Sequence, residues 1–412
     1  MQAEIISIGG ELLIGHTVNT NFAFLAATLA EHGYGVEREL CIPDVPRVVE
    51  EAVADALSRA ELVITIGGLG PTRDDLTREA VANMIGCPLQ FSEQVFESVS
   101  AYLAKRLVKL PDEALKTQSM VPEGATPLIN ANGTAPGLWC PAPHDRVVVM
   151  LPGPPRELKP IFTEQVMPRI LERWAPGWCR RTLRVCGVPE SLAAKRAETV
   201  LAEHEKIDIA YCARPGIVDV RLTATMDCQT QVDQCMEALR SEFDQAVLVQ
   251  EDDLVDALAR ILTERRMTLA VAESCTGGGI GAAITERAGA SEFFLGGVIA
   301  YANSIKQRQL DVPEQVLKTQ GAVSEETARA MVKGVCQRFQ TDTGIAVTGI
   351  AGPDGGSEEK PVGLVFIATC VRDDIVVKHR VYPGSRETVR ERTVNSALNQ
   401  LREQIMTSTN KT

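Results

Sequence analysis

The sequence predicts an α/β protein: two α/β domains with mostly parallel sheets, joined by a small α+β middle domain. Three observations carry that expectation. At 412 residues the chain is too long for one ordinary core. Apolar residues make up 45% of it and aromatics only 4%, so the interior must be built from Val, Ile, Leu and Ala, as parallel sheets covered on both faces are. Short apolar runs alternate with helical patterns at both ends of the chain, whereas residues 181 to 250 have the texture of antiparallel strands.

The first domain is expected over residues 1–174. AEIISI reads as a strand, TNFAFLAATLAEHG and VVEEAVADALSRA as helices, and ELVITI as the next strand. The sheet resumes at RVVVML, and PGPPRELKPIFTEQVMPRILERW is a helix behind two prolines that ends near Trp174. The middle domain, residues 175–250, holds RTLRVCGV, a helix through LAAKRAETVLAEH, and two alternating strands that turn at Pro215 and Gly216. It reads as a spacer without chemistry of its own. The third domain, residues 251–408, opens with the helix DDLVDALARILTERR and the strand TLAVAES.

Composition removes several classes of function. The formal net charge of -12 gives no basic surface for broad nucleic-acid binding, which depends on counterion release. Eleven cysteines are scattered singly from Cys41 to Cys370 with no C-x-x-C pair. The opening MQAEIISIGG runs directly into a strand without a basic, long-apolar segment, so the cytoplasm is the expected compartment. No apolar run approaches the roughly 20 residues of a membrane helix.

The C-terminal domain carries the sharper motifs. In TLAVAESCTGGGIGAAI, Ser274 stands at a strand end and at a helix N-terminus, where free amides and the helix dipole favour developing negative charge. Gly277, Gly278 and Gly279 leave room for a ligand, and the amides of Cys275, Thr276 and Gly277 could form an oxyanion hole. A serine N-cap with glycines for helix packing fits the same motif. GGVIAYANSIK places Tyr301 at a strand end and Lys306 at the start of a helix. A lysine whose pKa is lowered by burial can take a serine's proton in place of histidine, and none of the five histidines lies in a glycine-rich motif. In GIAVTGIAGPDGGSEEKPVG, Thr348 is followed by a loop containing Gly349, Gly352, Gly355 and Gly356. Such loops at strand C-termini should line one crevice. In SRETVRERTVNSAL, Ser385 is a plausible N-cap, and Arg386 and Arg390 share one helix face. They fit a phosphate, or equally a solvated face paired with Glu387 or Glu391.

A-E-S-C-T-G-G, G-G-V-I-A-Y-x-N-x-x-K, G-A-V-S-E-E-T-A and V-T-G-I-A-G-P-D-G-G, in that order between Asp253 and Leu401, resemble the CinA C-terminal family of nicotinamide mononucleotide deamidases. The resemblance implies Ser274 as nucleophile, Tyr301 and Lys306 as its proton-handling partners, and Thr348 against substrate or oxyanion. It also implies an arginine of the last helix, Arg386 or Arg390, on the substrate phosphate, and no cofactor.

The N-terminal motif is ELVITIGGLGPTRDDLTREA, a strand, a glycine turn and a helix expected to begin near Thr72 to Asp75. Gly67, Gly68 and Gly70 allow backbone contact with a phosphate, and Asp74 and Asp75 could hold a divalent metal or simply cap the helix. SIGGELLIGHTVNTNF adds Glu11 and Asn21 beside another glycine turn. G-G-L-G-P-T-x-D-D-x-T, which ends at Thr77, with NGTAPG and LPGPPREL, resembles the molybdopterin-binding fold of the CinA N-terminal domain. That resemblance implies metal-dependent hydrolysis of ADP-ribose, with Asp75 and Glu11 on Mg, Mn or Co and a potassium ion nearby. The sequence departs from the family at Gly10, where relatives often carry Asp or Thr.

The sequence thus predicts a bifunctional hydrolase of pyridine nucleotide salvage, a homodimer whose partners are small nucleotides, with no membrane or nucleic acid. Two other classes stay open: a molybdopterin-binding protein, and an adaptor in competence or DNA damage. A pterin carrier has no use for the serine and lysine, and an adaptor on DNA would bind it in a salt-sensitive way.

Overall fold

The run Gln2–Ile8 buries six of its seven side chains and forms the strand from which the first sheet grows. The computed structural model describes residues 1–72, 75–107, 111–248 and 253–408. Within them the chain forms two compact units, Met1–Arg181 with Thr223–Val232, and Thr182–Leu222 with Asp233–Thr412. The expected boundary between Gln250 and Glu251 lies outside the described residues.

In the first unit β1 (Gln2–Ile8) is flanked in parallel by β2 (Gly35–Ile42) and β3 (Leu62–Ile66). A small antiparallel pair, β4 (Leu89–Phe91) with β5 (Met120–Pro122), stands apart. The main sheet continues through β6 (Thr126–Leu128), β7 (Gly137–Ala142) and β8 (Arg146–Leu151), in the order β2-β1-β3-β8-β7-β6. β8 is parallel to β3, while β7 and β6 run antiparallel.

Alternation along the central strands sorts side chains to two faces. Ile6, Val63 and Val148 pack with Val49 and Val53 of the helix Pro46–Arg59. Ile5, Ile64 and Val149 pack with Leu25 and Leu29 of the helix Thr20–Glu31 and with Leu158 and Phe162. Because β1, β3 and β8 are parallel, the glycine loops that follow them open at one end of the sheet. The helix behind the two prolines runs from Pro155 and carries a π-type turn at Phe162–Val166 just after Pro160, whose missing N–H breaks the regular ladder.

The middle segment contains β9 (Trp178–Cys186), β10 (Asp208–Arg214), β11 (Ile217–Thr225) and β12 (Val247–Leu248), in the order β10-β11-β9-β12. The expected turn at Pro215 and Gly216 joins β10 to β11, with Gly216 at φ 80. In the second unit Cys186, Ile217 and Leu248 share a core with Leu258 and Leu398.

The last sheet has the order β14-β13-β15-β16-β17, built from β13 (Leu269–Glu273), β14 (Phe294–Ile299), β15 (Thr343–Gly349), β16 (Leu364–Val371) and β17 (Asp374–Val381). β13 lies between β14 and β15 in parallel, and β16 and β17 complete the sheet antiparallel. Large side chains (Val271, Ile345, Val347, Ile367) meet the helices Leu254–Glu264 and Arg386–Ser408 on one face. Ala270, Ala272, Ala346 and Ala368 line the other and let the helix Glu325–Phe339 approach closely. Among the described residues no helix is long and apolar enough to cross a membrane.

Candidate active site

Three parallel strands end at the same edge of the last sheet, and the chemistry gathers there. Ser274 follows β13 directly, and its N–H donates to the Val347 carbonyl at 3.1 Å, which fixes it against β15. Lys306 sits one turn into the helix Asn303–Leu310 and is only 1% exposed. Its Nζ lies 3.1 Å from Ser274 Oγ, 2.7 Å from the Ala300 carbonyl and 3.1 Å from the Tyr301 carbonyl. Burial pushes its pKa below the ordinary 10.5 of a lysine. Two carbonyls and one hydroxyl satisfy the three donors of an ammonium, and equally the two donors and one lone pair of a neutral amine, so the same contacts serve both protonation states.

The turn after Ser274 differs from the expected one. The helix begins at Gly279, not beside Ser274, so Ser274 is not its cap. That role falls to Glu273, whose 1% exposed carboxylate accepts from Thr276 Oγ1 at 2.6 Å and from the amides of Gly278, Ile280 and Gly281 at 2.9 to 3.0 Å. The helix N-terminus is therefore neutralised from within, which sequence reasoning missed, because a glutamate ending an apolar strand carries no spacing signal. The oxyanion hole narrows as well. Gly277 gives its N–H to the Ser274 carbonyl at 3.1 Å, and Gly278, left-handed at φ 97, gives its own to Glu273. The amides of Cys275 and Thr276 remain as candidates, shared with the Cys275 thiol that both approach. The Cys275 thiol, pushed up to about 12 by burial, does not compete as a nucleophile.

Tyr301 meets Lys306 through its carbonyl. Its phenol is 63% exposed and accepts from Arg386 Nη2 at 3.4 Å, so the hydroxyl does not join Ser274 and Lys306. Thr348 is buried and donates to the Ala322 carbonyl at 2.7 Å, tying β15 to the turn before the helix Glu325–Phe339. Gly349 ends β15, where a Cβ would meet the Leu364 carbonyl at 2.7 Å. Arg386 donates to the Gly352 carbonyl at 2.8 Å, and Arg390 donates twice to the Thr276 carbonyl, at 2.7 and 3.3 Å. Among the described residues neither arginine pairs with Glu387 or Glu391; both hold the glycine loops instead. Ser385 accepts from the Thr388 amide at 3.3 Å, as a cap would.

In the first unit a cavity of about 510 Å³ opens at the ends of β1, β3 and β8. Glu11, Asn21, Gly67, Gly68, Gly70 and Asp75 all line it, although they come from separate loops. Thr77 lies beneath, fully buried, its N–H on the Gly68 carbonyl at 3.1 Å; any Cβ on Gly68, at φ 67, would strike its hydroxyl. Asp74 lies outside the described residues. The helix starts at Thr77 rather than near Thr72 to Asp75, so Asp75 is no N-cap; its carboxylate accepts from the Thr72 amide at 2.9 Å. Asn21 donates to the Gly153 carbonyl at 2.7 Å, while its buried Oδ1 has no partner.

Sequence reasoning missed two further carboxylates of this cavity, Asp44 and Glu157. Asp44 accepts from the Gly10 amide at 2.9 Å, so a carboxylate from a distant loop stands next to the side chain that Gly10 lacks. Glu157 accepts from Asn130 at 2.8 Å, and burial raises its pKa. No Lys, Arg or His lines the cavity among the described residues. Among the described residues the only charged groups a pyrophosphate would meet there are carboxylates, and such oxygen donors fit a hard divalent cation shared with the ligand. Among the described residues no cluster of three or more His, Cys, Asp or Glu forms a metal cage by itself.

The chain matches three family descriptions: CinA C-terminal domain over residues 251–405, Probable molybdopterin binding domain over 4–172, and Damage-inducible protein CinA KH domain over 180–248. A CinA-like protein of Gemmatimonas aurantiaca is 40% identical over 412 residues, covering 98% of this chain and 96% of that protein. A CinA-like protein of Dictyoglomus thermophilum is 36% identical over 407 residues, covering 98% of each. The solved competence/damage inducible protein CihA of Agrobacterium tumefaciens is 40% identical over 37% of this chain and 96% of its own, with a TM-score of 0.35.

Proposed function

The chain belongs to the CinA family, and from that premise and the buried serine–lysine pair we propose that its C-terminal part hydrolyses nicotinamide mononucleotide to nicotinate mononucleotide and ammonia. The observation that carries this reading is the contact between Lys306 Nζ and Ser274 Oγ, with the lysine buried and its pKa lowered. Neutral Lys306 takes the hydroxyl proton as Ser274 Oγ attacks the carboxamide carbon. The oxyanion meets the amides of Cys275 and Thr276. The C–N bond then breaks, and Lys306 passes its proton to the departing ammonia. Water attacks the resulting ester, giving a proton to Lys306, which returns it to Ser274 Oγ as the acid leaves. Arg386 or Arg390, each now on a loop carbonyl, takes the phosphate by sharing its donors, and no step uses a cofactor.

The N-terminal cavity reads as a pyrophosphate hydrolase acting on ADP-ribose. Magnesium, manganese or cobalt held by Asp75 and Glu11 would neutralise the pyrophosphate charge. Gly67, Gly68 and Gly70 let the phosphates approach the backbone, and Asn21 Oδ1 offers an unused acceptor. The match to a molybdopterin binding domain favours a second reading, a bound pterin, for this cavity alone. A cytoplasmic homodimer is the expected state, which light scattering and fractionation check. The deciding experiment incubates the protein with nicotinamide mononucleotide and with ADP-ribose and follows ammonia and mononucleotides. Folded protein that releases no ammonia sinks the first assignment, and tight pterin binding without ADP-ribose turnover replaces the second.

A further inference from the structure

A second cavity, of about 450 Å³, lies within the second unit, where the 187–190 turn and the β10–β11 hairpin meet β17 and the middle of the helix Arg386–Ser408. Unlike the N-terminal cavity it carries cations, four of them against the two carboxylates of Glu190 and Glu403. Arg214, Lys378, Arg380 and Arg392 all line it. Two of them are already matched, Lys378 by Glu403 at 3.4 Å and Arg214 by Asp219 at 3.2 Å. The other two are not. Arg380 donates only to the His379 carbonyl, at 3.0 Å, and Arg392 makes no side-chain hydrogen bond or ion pair among the described residues. In a chain of net charge -12, unmatched positive charge at a concave site is a feature to be explained.

Two further observations point to an anion with a ring attached. The twelve-residue helix Glu190–Leu201 starts at this cavity; its N-cap, Pro189, offers its first-turn amides no side-chain acceptor, and the one acid of that turn, Glu190, lines the cavity together with the four cations. Behind the cations the wall is apolar, made by Ile217, Val218 and Ile367, with Tyr382 beside them donating to Ser396 Oγ at 2.6 Å. The volume falls in the range of small-ligand sites, roughly 300 to 1,000 Å³.

We propose that this cavity binds a free mononucleotide, its phosphate on Arg380 and Arg392 and its ring against Ile217, Val218 and Tyr382. The site is separate from both catalytic readings and stands whether or not they hold. Calorimetric titration of the full chain tests it with three probes: adenosine monophosphate, inorganic phosphate and a ten-nucleotide oligo(dA). Adenosine monophosphate binds at least tenfold more tightly than inorganic phosphate, and the double variant Arg380→Glu/Arg392→Glu loses that binding with an unchanged circular dichroism spectrum. Should charge reversal unfold the protein, Arg392→Gln alone weakens binding about fivefold. An isotherm that Arg392→Gln leaves unaltered overturns the site. Inorganic phosphate binding as well as the mononucleotide overturns the ring contact, and tighter binding of oligo(dA) through the same arginines overturns the free ligand in favour of a strand.

Discussion

Lys306 Nζ rests 3.1 Å from Ser274 Oγ while its other two neighbours are the carbonyls of Ala300 and Tyr301. The helix Asn303–Leu310 delivers the lysine, and the loop at the end of β14 supplies both carbonyls. One strand-to-helix connection therefore fixes the Lys306 amine against Ser274.

If the C-terminal part deamidates as proposed, that arrangement sets its pH dependence. The amine must be neutral to accept a proton, and burial lowers its pKa, so kcat/KM rises as pH increases and levels off below the ordinary 10.5 of lysine. A pH series from 6 to 10 measures the limb. A profile falling with rising pH over that range removes Lys306 as the base.

Glu273 is expected to be a positioning residue. Its carboxylate gathers three amides and a hydroxyl in a buried turn. Unmade bonds of that kind cost about 1–3 kcal/mol each. Glu273→Ala should destabilise the C-terminal part by more than about 2 kcal/mol, a drop of roughly 4–8 °C in Tm. Glu273→Gln, which keeps one acceptor, should lower kcat more than it raises KM, because the turn carries the Cys275 and Thr276 amides. Wild-type turnover in Glu273→Gln would assign Glu273 to stability alone.

Arg386 and Arg390 hold the carbonyls of Gly352 and Thr276, so each can reach a ligand in the mouth only by sharing its donors. If they bind phosphate, Arg386→Ala and Arg390→Ala raise KM for nicotinamide mononucleotide at least tenfold but leave nicotinamide riboside, which has no phosphate, nearly unaffected. Equal losses on both substrates would mean that the arginines only brace the loops.

The strands were readable because they depend on local pattern, whereas the pairing of Ser274 with Lys306, 32 residues apart, came only from the family resemblance. Ala270, Val271 and Ala272 alternate along one strand, and Lys306 is carried by the short segment that also holds Tyr301. What depends on three-dimensional turn geometry was not readable. Spacing cannot tell that Glu273 takes the amides a helix start should offer, or that the Tyr301 phenol turns outward while its carbonyl turns in. Asp44 reaches the N-terminal cavity from a loop and Glu157 from the helix that starts at Pro155, both far from the glycine motif, so no window of sequence contains them together. The helix starts at Thr77 rather than near Thr72 to Asp75, and the Asp75 carboxylate accepts from the Thr72 amide instead of capping it.

The two activities should separate by metal dependence. A serine acyl mechanism brings its own electrophilic site, whereas pyrophosphate in a cavity lined by carboxylates needs a cation. Chelator should abolish ADP-ribose hydrolysis and spare ammonia release, and Asp75→Ala should do the same. Full ADP-ribose hydrolysis in Asp75→Ala would leave Asp75 as a turn residue, and equal loss of both activities under chelation would end the division.

The main assignment is decided by Ser274 and Lys306 together. If Ser274 Oγ attacks the carboxamide carbon, Ser274→Ala loses several orders of magnitude in kcat while still binding substrate, because the ring and phosphate contacts come from other loops. Lys306→Arg is nearly as damaging, since a guanidinium keeps its proton at neutral pH and cannot act as base. The double variant is then little worse than either single one, because both groups serve one step. Steady-state kinetics with all three variants reads this directly. Losses that multiply would make Lys306 a binding group for the substrate rather than the base. Ordinary turnover in Ser274→Ala would remove the covalent intermediate, and a water activated by Lys306 would become the better account of the same 3.1 Å contact.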